Sequence, residues 1–286
     1  MNIHAISTGR VKITHNWMVG QGSHPALRLV NSLADRRQTD WLPIFCYVIE
    51  HDEGLIVVDT GIPANANDPI LFPPFMPWVQ RAAPFLIASP EEEIGPQMRQ
   101  IGLAPEDVRW VVLTHLHQDH EGGLHHFPNA EFLVSRAEWD AASGLAGRMG
   151  GYLNWRWFDG FSPALVDFTQ DAIPEFAGSY SLTQSGDVHL VPTPGHSAGH
   201  LSVLVHEADH TLLLAGDAAY SQALLLANTV DGVGPDASAQ QDSHQRMLRY
   251  AQRVPTVFLP SHEDDARRRL AERETLDVTP RTVAHI

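Results

Sequence analysis

Apolar residues along this chain fall into short, β-branched runs, and that pattern predicts a sheet-rich molecule. Residues 44–50 and 55–59 are two such runs joined by His51-Asp52-Glu53-Gly54, which predicts a hairpin ending at Asp59-Thr60-Gly61. Val108-Arg109-Trp110-Val111-Val112-Leu113-Thr114 is almost continuously apolar, as a buried strand is, and it delivers the chain to His115. A strand is expected at 131–135, then a helix opened by Ser135 with Glu138 three residues on, and further strands at 188–192, 201–206 and 211–215. Ser89-Pro90-Glu91-Glu92 is a capping-box pattern with proline at the first helical position, so a helix is expected over 90–102, disturbed at Pro96. Residues 63–90 carry seven prolines, from Pro63 to Pro90, among Phe72, Phe75, Met76, Trp78 and Phe85. They predict an inserted loop with short helical turns in a single domain spanning 1–286.

The polar clusters fall just after strand ends. With mixed strands and helices, this favours an α+β class in which two mixed sheets are flanked by helices, an αββα sandwich, over a simple doubly wound sheet. No fixed-period repeat is present.

Composition narrows the chemistry. The 286 residues are 43% hydrophobic and 19% charged, the profile of a folded protein. A formal net charge of −15 argues against nucleic acid as a partner, because phosphate binding needs clustered Lys and Arg. Bound divalent cations would offset part of that charge. Arg267, Arg268 and Arg269 are interleaved with Glu263, Asp264, Asp265, Glu272 and Glu274, which predicts a solvated helix face. The single cysteine, Cys46, sits in an apolar run and is expected in the core. No basic leader and no stretch near the roughly 18 apolar residues of a membrane span is found, so no membrane partner and a soluble, cytoplasmic protein are expected. The compositional oddity is 17 histidines.

Their spacing is informative. In His115-Leu116-His117-Gln118-Asp119-His120 the first two imidazoles lie two positions apart, on one side of an extended segment, and can converge on one cation. Asp119 and His120, at the turn before Glu121-Gly122-Gly123, can diverge toward a second. His196, Asp217 and His262 each follow a strand beside glycine, proline or serine, residues that let the backbone bend sharply. A carboxylate bridges two cations about 3.5 Å apart naturally, and Asp217 is the candidate. His125 and His126 are explained as surface positions, and His189, His206, His210 and His244 by no spacing at all.

His115-x-His117-x-Asp119-His120, Thr193-Pro194-Gly195-His196, Gly216-Asp217, the late His262 and Asp59-Thr60-Gly61 resemble the metallo-β-lactamase superfamily in order and approximate spacing, over most of the chain. The resemblance implies a first metal on His115, His117 and His196, a second on Asp119, His120 and His262, and Asp217 between them. Thr193 through His200 and Asp217-Ala218-Ala219-Tyr220 are most similar to the N-acyl homoserine lactonases. Glu121 departs from that family, which usually has a small residue there, and adds a carboxylate near the metals.

The resemblance implies a quorum-quenching hydrolase of N-acyl homoserine lactones, in which a metal-bridging hydroxide attacks the lactone carbonyl. Tyr220 would donate to the developing oxyanion and Asp119 would pass a proton to the departing alkoxide, with Asp59 and His200 orienting ligands from outside. Two divalent ions are expected, zinc first, with Co2+, Mn2+ or Fe2+ also compatible with the donors. Trp17-Met18, residues 71–86 and Tyr152 to Phe161 supply apolar side chains for an acyl-chain pocket or for a homodimer interface. The same fold also accommodates other lactonases, esterases, organophosphate hydrolases, glyoxalase-type thioester hydrolases, a mononuclear iron sulfur dioxygenase and a non-catalytic metal-stabilised binding protein. Retention of Asp119, His120 and His262 opposes the mononuclear reading, and the lack of a basic patch for glutathione carboxylates opposes the thioesterase.

Overall fold

The structure, a computed structural model, describes residues 1–68, 82–87, 89–158 and 160–278. Its strands are β1 (Asn2–Val11), β2 (Leu42–Glu50), β3 (Leu55–Val58), β4 (Phe85–Leu86), β5 (Val108–Val112), β6 (Glu131–Ser135), β7 (Ala164–Val166), β8 (Tyr180–Ser181), β9 (Val188–Pro192), β10 (Leu201–His206), β11 (Thr211–Gly216) and β12 (Thr256–Pro260). The helices are α1 (His15–Met18), α2 (Pro25–Ala34), α3 (Ile94–Gln100), α4 (Gln118–Glu121), α5 (Arg136–Ala142), α6 (Gly144–Met149), α7 (Gln222–Leu226), α8 (Ala237–Arg253) and α9 (Asp265–Glu272). No described helix is long and apolar enough to cross a membrane.

The strands form two sheets, ordered β4-β1-β2-β3-β5-β6-β7 and β12-β11-β10-β9-β8. Both are mixed. In the first, β1, β2 and β3 pair antiparallel and β3, β5, β6 and β7 parallel. In the second, only β11 and β12 are parallel.

Period-two alternation sorts the apolar side chains into layers. Phe45, Tyr47 and Ile49 of β2 face the second sheet, meeting Leu190, Val203, Leu212 and Leu259. Cys46 and Val48, between them in sequence, face outward to Ile94 and Met98 of α3. On the far side, Leu204, Leu213 and Phe258 pack under Met247 and Tyr250 of α8. Strands buried on both faces lose the polar half of their alternation, which is why 44–50 and 108–114 look continuously apolar. The α+β sandwich is the expected one.

Several local expectations are corrected. The segment 90–102 is divided into a 3-10 turn, Pro90–Glu92, and α3, with Glu93 extended between them, and Ser89 makes no side-chain cap. Proline supplies the reason: Pro96 has no N–H, so a helix accepts it only within its first turn, and α3 therefore starts at Ile94. Arg269 is not on a solvated face. It is buried, donates through Nε to the Phe258 carbonyl at 3.1 Å and pairs with Glu263. Of the aromatic stretch 152–161, Trp157 stacks on Trp139 at 5.0 Å and Phe161 packs on Phe132, inside the outer layer of the first sheet. These two rings thicken the core. Most of the Pro-rich loop lies outside the described residues, as do all of 71–81 of the apolar segment 71–86; its described end contributes β4, an edge strand on β1.

Candidate metal centre

The ends of β3, β5, β9, β11 and β12 bring the polar segments to one rim of the sandwich. Beyond β5, Leu113 still pairs with Leu133, and the Thr114 carbonyl accepts from Leu201 N at 2.9 Å, stitching the first sheet to the second. His115 follows at once, and His117 is the N-cap of α4, whose single turn swings Asp119 and His120 around. Two glycines permit the other entries. Gly216 has φ +53, and a Cβ there would lie 2.8 Å from both His200 Nε2 and Thr114 Oγ1. At Gly195, φ is +139 and a Cβ would lie 2.3 Å from the Gln240 Cα, so only glycine lets α8 close behind His196.

All seven expected ligands meet. His117 Nδ1 lies 2.9 Å from His115 Nε2 and 3.0 Å from His196 Nε2. Asp217 stands between two groups: its Oδ2 is 3.6 Å from His196 Nε2, and its Oδ1 is 3.2 Å from His262 Nε2 and 3.4 Å from His120 Nε2. Asp119 faces His262 at 3.5 Å and His120 at 3.8 Å. The donor atoms of His115, His117 and His196, of His115, His120 and Asp217, and of Asp119, His120 and His262 each lie within 4.8 Å of one another.

This donor set fits a pair of divalent cations. His120 Nε2 and Asp217 Oδ1 are buried and, among the described residues, lack a hydrogen-bond partner, an expensive arrangement unless something else satisfies them. Three imidazole nitrogens converging at 2.9 and 3.0 Å cannot all donate to one another, but they can share a cation.

The outward nitrogens are held individually. His120 Nδ1 reaches Asp59 Oδ2 at 2.8 Å, His196 Nδ1 reaches Asp231 Oδ2 at 2.8 Å, and His262 Nδ1 donates to the Pro43 carbonyl at 2.8 Å. His115 Nδ1 lies 3.1 Å from Thr114 Oγ1. Such partners select the tautomer that leaves the inward nitrogen free as a ligand. Asp59, at φ +59, also accepts from Thr114 N and Oγ1, both at 2.8 Å. His200 is likewise outside the cluster: its Nε2 accepts from the Asp217 N–H at 3.0 Å.

Electrostatics follow burial and charge. Burial, reinforced by neighbouring imidazoles, holds His115 well below the ordinary histidine range and His117 at about 3, so both are neutral with lone pairs available. For His120 and His262 burial opposes the charged form, but Asp217 and the other carboxylates outweigh it and raise both; Asp231 does the same for His196. Burial, opposed by Arg156 and helped by Asp119, pushes the Glu121 carboxyl, two residues from Asp119, up to about 8.

Tyr220 is buried beside the cluster, its ring 5.8 Å from that of His196 and 5.6 Å from that of His262. Its hydroxyl oxygen accepts from the Trp17 indole N–H at 3.1 Å. The Tyr152 ring lies 5.3 Å from that of His117.

Sequence reasoning missed three supporting residues. Asp231, buried, also accepts from Val233 N, Gly234 N and Gln240 Nε2. Glu138 was expected only near a helix start, and Ser135 does cap its N–H, but its carboxylate accepts from Leu116 N at 3.0 Å, Ser197 Oγ at 2.6 Å and Gly199 N at 3.0 Å, tying the two histidine loops together. Trp17 was placed only in an apolar segment for an acyl-chain pocket or a homodimer interface. For Glu138, zero exposure within an otherwise amphipathic turn is the structural signal; nothing in the sequence marks Asp231.

Comparison with known proteins agrees with this geometry. The family model of the metallo-beta-lactamase superfamily matches residues 39–278. The N-acyl homoserine lactonase AttM of Rhizobium radiobacter is 32% identical over 240 residues, covering 79% of this chain and 83% of that protein. An N-acyl homoserine lactonase of a Bacillus species is 28% identical over 230 residues, covering 79% and 84%. Among solved structures, an N-acyl homoserine lactone hydrolase with the product N-hexanoyl-L-homoserine at its catalytic metal center is similar in fold, with a TM-score of 0.73 at 22% identity over 97% of each chain. The chain belongs to the metallo-beta-lactamase superfamily and, within it, to the family of the N-acyl homoserine lactonases.

Proposed function

We propose that this protein hydrolyses the ring ester of N-acyl homoserine lactones at a two-metal centre. His115, His117 and His196 would hold one cation, Asp119, His120 and His262 the other, and Asp217 both. The observation that carries this reading is the position of Asp217, with one oxygen toward His196 and the other toward His120 and His262. Histidine and carboxylate donors suit zinc first among the divalent ions.

Held by these residues, two divalent cations would supply an activated water at neutral pH and would polarise the scissile carbonyl. The residues do the rest. Asp231, Asp59 and the Pro43 carbonyl hold three of the imidazoles in orientation, so little reorganisation accompanies the reaction. Because Trp17 already donates to the Tyr220 oxygen, the phenolic proton is left to point at the substrate carbonyl and stabilise its developing negative charge. Asp119 is the more exposed of the two carboxylates, at 14% against 4% for Asp217, and so is positioned to deliver a proton to the alkoxide released when the ring C–O bond breaks.

A homodimer belongs to the same reading. Helix α2 buries Arg28 and Ser32 while exposing Leu27 at 48%, Leu29 at 43% and Val30 at 60%, an inversion that a second copy would cover. Light scattering on purified protein tests it, a monomer at all concentrations being the contrary result.

The substrate test is turnover of metal-loaded protein on N-acyl homoserine lactones of several chain lengths, set against aryl esters and phosphotriesters. Lactones are expected to be the best substrates. Phosphotriester turnover with inert lactones would replace the proposed substrate by the organophosphate alternative.

A further inference from the structure

Glu93, His125 and His126 form a cluster on the far side of the turn that follows α4. His126 Nε2 lies 2.6 Å and His125 Nε2 3.2 Å from the same Glu93 oxygen, Oε2. The three donor atoms fall within 4.8 Å of one another. None of these residues touches the Asp217 centre in any contact described above. We propose that they constitute a separate divalent-cation site.

A plain ion pair accounts for the arrangement less well. One histidine suffices to pair with Glu93, yet two rings lie 4.0 Å apart with both Nε2 atoms aimed at one oxygen. Two protonated imidazoles at that separation repel, whereas two neutral ones sharing a cation with a carboxylate do not. The position is also prepared by the backbone. A Cβ on Gly95 would lie 2.6 Å from His126 Nδ1, so glycine there makes room for the ring. The other Glu93 oxygen, Oε1, is already used, accepting from Ala64 N at 2.8 Å, which fixes the carboxylate and leaves Oε2 for the cluster.

Two imidazole nitrogens and one carboxylate oxygen suit zinc, nickel, cobalt or copper(II) and not the oxygen-seeking calcium or magnesium. The side chain of His125 is 55% exposed, so water completes the coordination and the ion exchanges with solvent. Its effect is structural. Glu93 is bonded to the chain after β3 through Ala64, and the turn carrying the histidines is bonded to the same stretch through Gly122 N to the Gly61 carbonyl at 2.9 Å and Gly123 N to Thr60 Oγ1 at 3.1 Å. A cation here clamps the loop that also presents Asp119 and His120, and it stabilises the fold by mass action.

The test compares the parent holoenzyme with His125→Ala and, separately, His126→Ala. Bound zinc is counted by elemental analysis after titration, and thermal midpoints are recorded with added zinc and with added calcium. The parent is expected to bind one zinc equivalent more than either variant and to gain a zinc-dependent rise in midpoint that both variants lose, with calcium inactive and lactone turnover of His125→Ala equal to the parent at saturating zinc. Because the readout is a difference between parent and variant, it stands whether or not the lactonase reading holds. Equal zinc content and equal zinc-dependent midpoints in parent and variants would overturn the site.

Discussion

The Trp17 indole donates to the Tyr220 hydroxyl oxygen at 3.1 Å, joining two residues 203 positions apart at the edge of the metal centre. The contact is reinforced from below, since Thr14 Oγ1 caps α1 by accepting from the Trp17 backbone N–H at 3.2 Å. Tyr220 is thereby fixed in position, its oxygen taken by Trp17 as an acceptor.

Replacing Tyr220 with Phe removes the proposed donor to the carbonyl. Turnover is expected to fall by roughly a hundredfold to a thousandfold, in line with the loss of one oxyanion donor, while metal content stays that of the parent. Trp17→Phe leaves the phenol but frees it to rotate, and about a fivefold loss is expected, equivalent to one hydrogen bond of about 1 kcal/mol. Steady-state kinetics and elemental analysis on the same preparations check both; parent-like turnover of Tyr220→Phe on every lactone would remove Tyr220 from the chemistry.

Asp231→Asn keeps the shape of the side chain and removes the charge that His196 Nδ1–H faces at 2.8 Å. Losing such a partner weakens metal binding by about tenfold to a hundredfold. Competition with a chromogenic chelator measures this directly, and an unchanged apparent affinity would show that Asp231 only fills space.

The visibility of these residues in the sequence divides along physical lines. His115, His117, Asp119 and His120 could be picked out because they directly follow a buried apolar run, and His196, Asp217 and His262 because each lies just past a strand beside glycine, proline or serine; their division over two cations was implied by the family resemblance. Asp231 could not, since its role comes from a contact with His196 35 positions away. Strand β1 was invisible for a related reason: His4, Ser7, Thr8 and Arg10 break its apolar pattern, and its place comes from pairing with β2. Helix α8, polar along most of its length, was missed because only a narrow face with Met247 and Tyr250 meets the sheet. His125 and His126 were set aside as surface positions, which holds for His125 alone; His126 turns onto Glu93, a residue that sequence reasoning placed inside the helix expected over 90–102.

Away from the centre, Asp187 joins the two sheets by accepting from His51 Nε2 at 3.0 Å, and also from Thr183 Oγ1 and Ser185 Oγ, each at 2.7 Å. Burial alone would raise its pKa, but these donors outweigh it and hold the carboxyl at about 2 against an ordinary 3.8. A depressed carboxylate stabilises the fold fully above its unfolded value, and the contribution is lost as pH falls through its folded value. Asp187→Asn should therefore cost about 1 kcal/mol near neutral pH, after discounting for solvent screening. The gap to the parent should close between about pH 4 and pH 2, and urea melts across that window follow it; a gap independent of pH would assign the effect to packing.

The shared carboxylate is tested most directly by Asp217→Asn, with metal content and N-acyl homoserine lactone opening measured on the same sample beside the parent. Loss of two metal equivalents relative to the parent, together with near-complete loss of turnover, is the predicted result. Retention of both equivalents at the parent rate would contradict a centre built around Asp217.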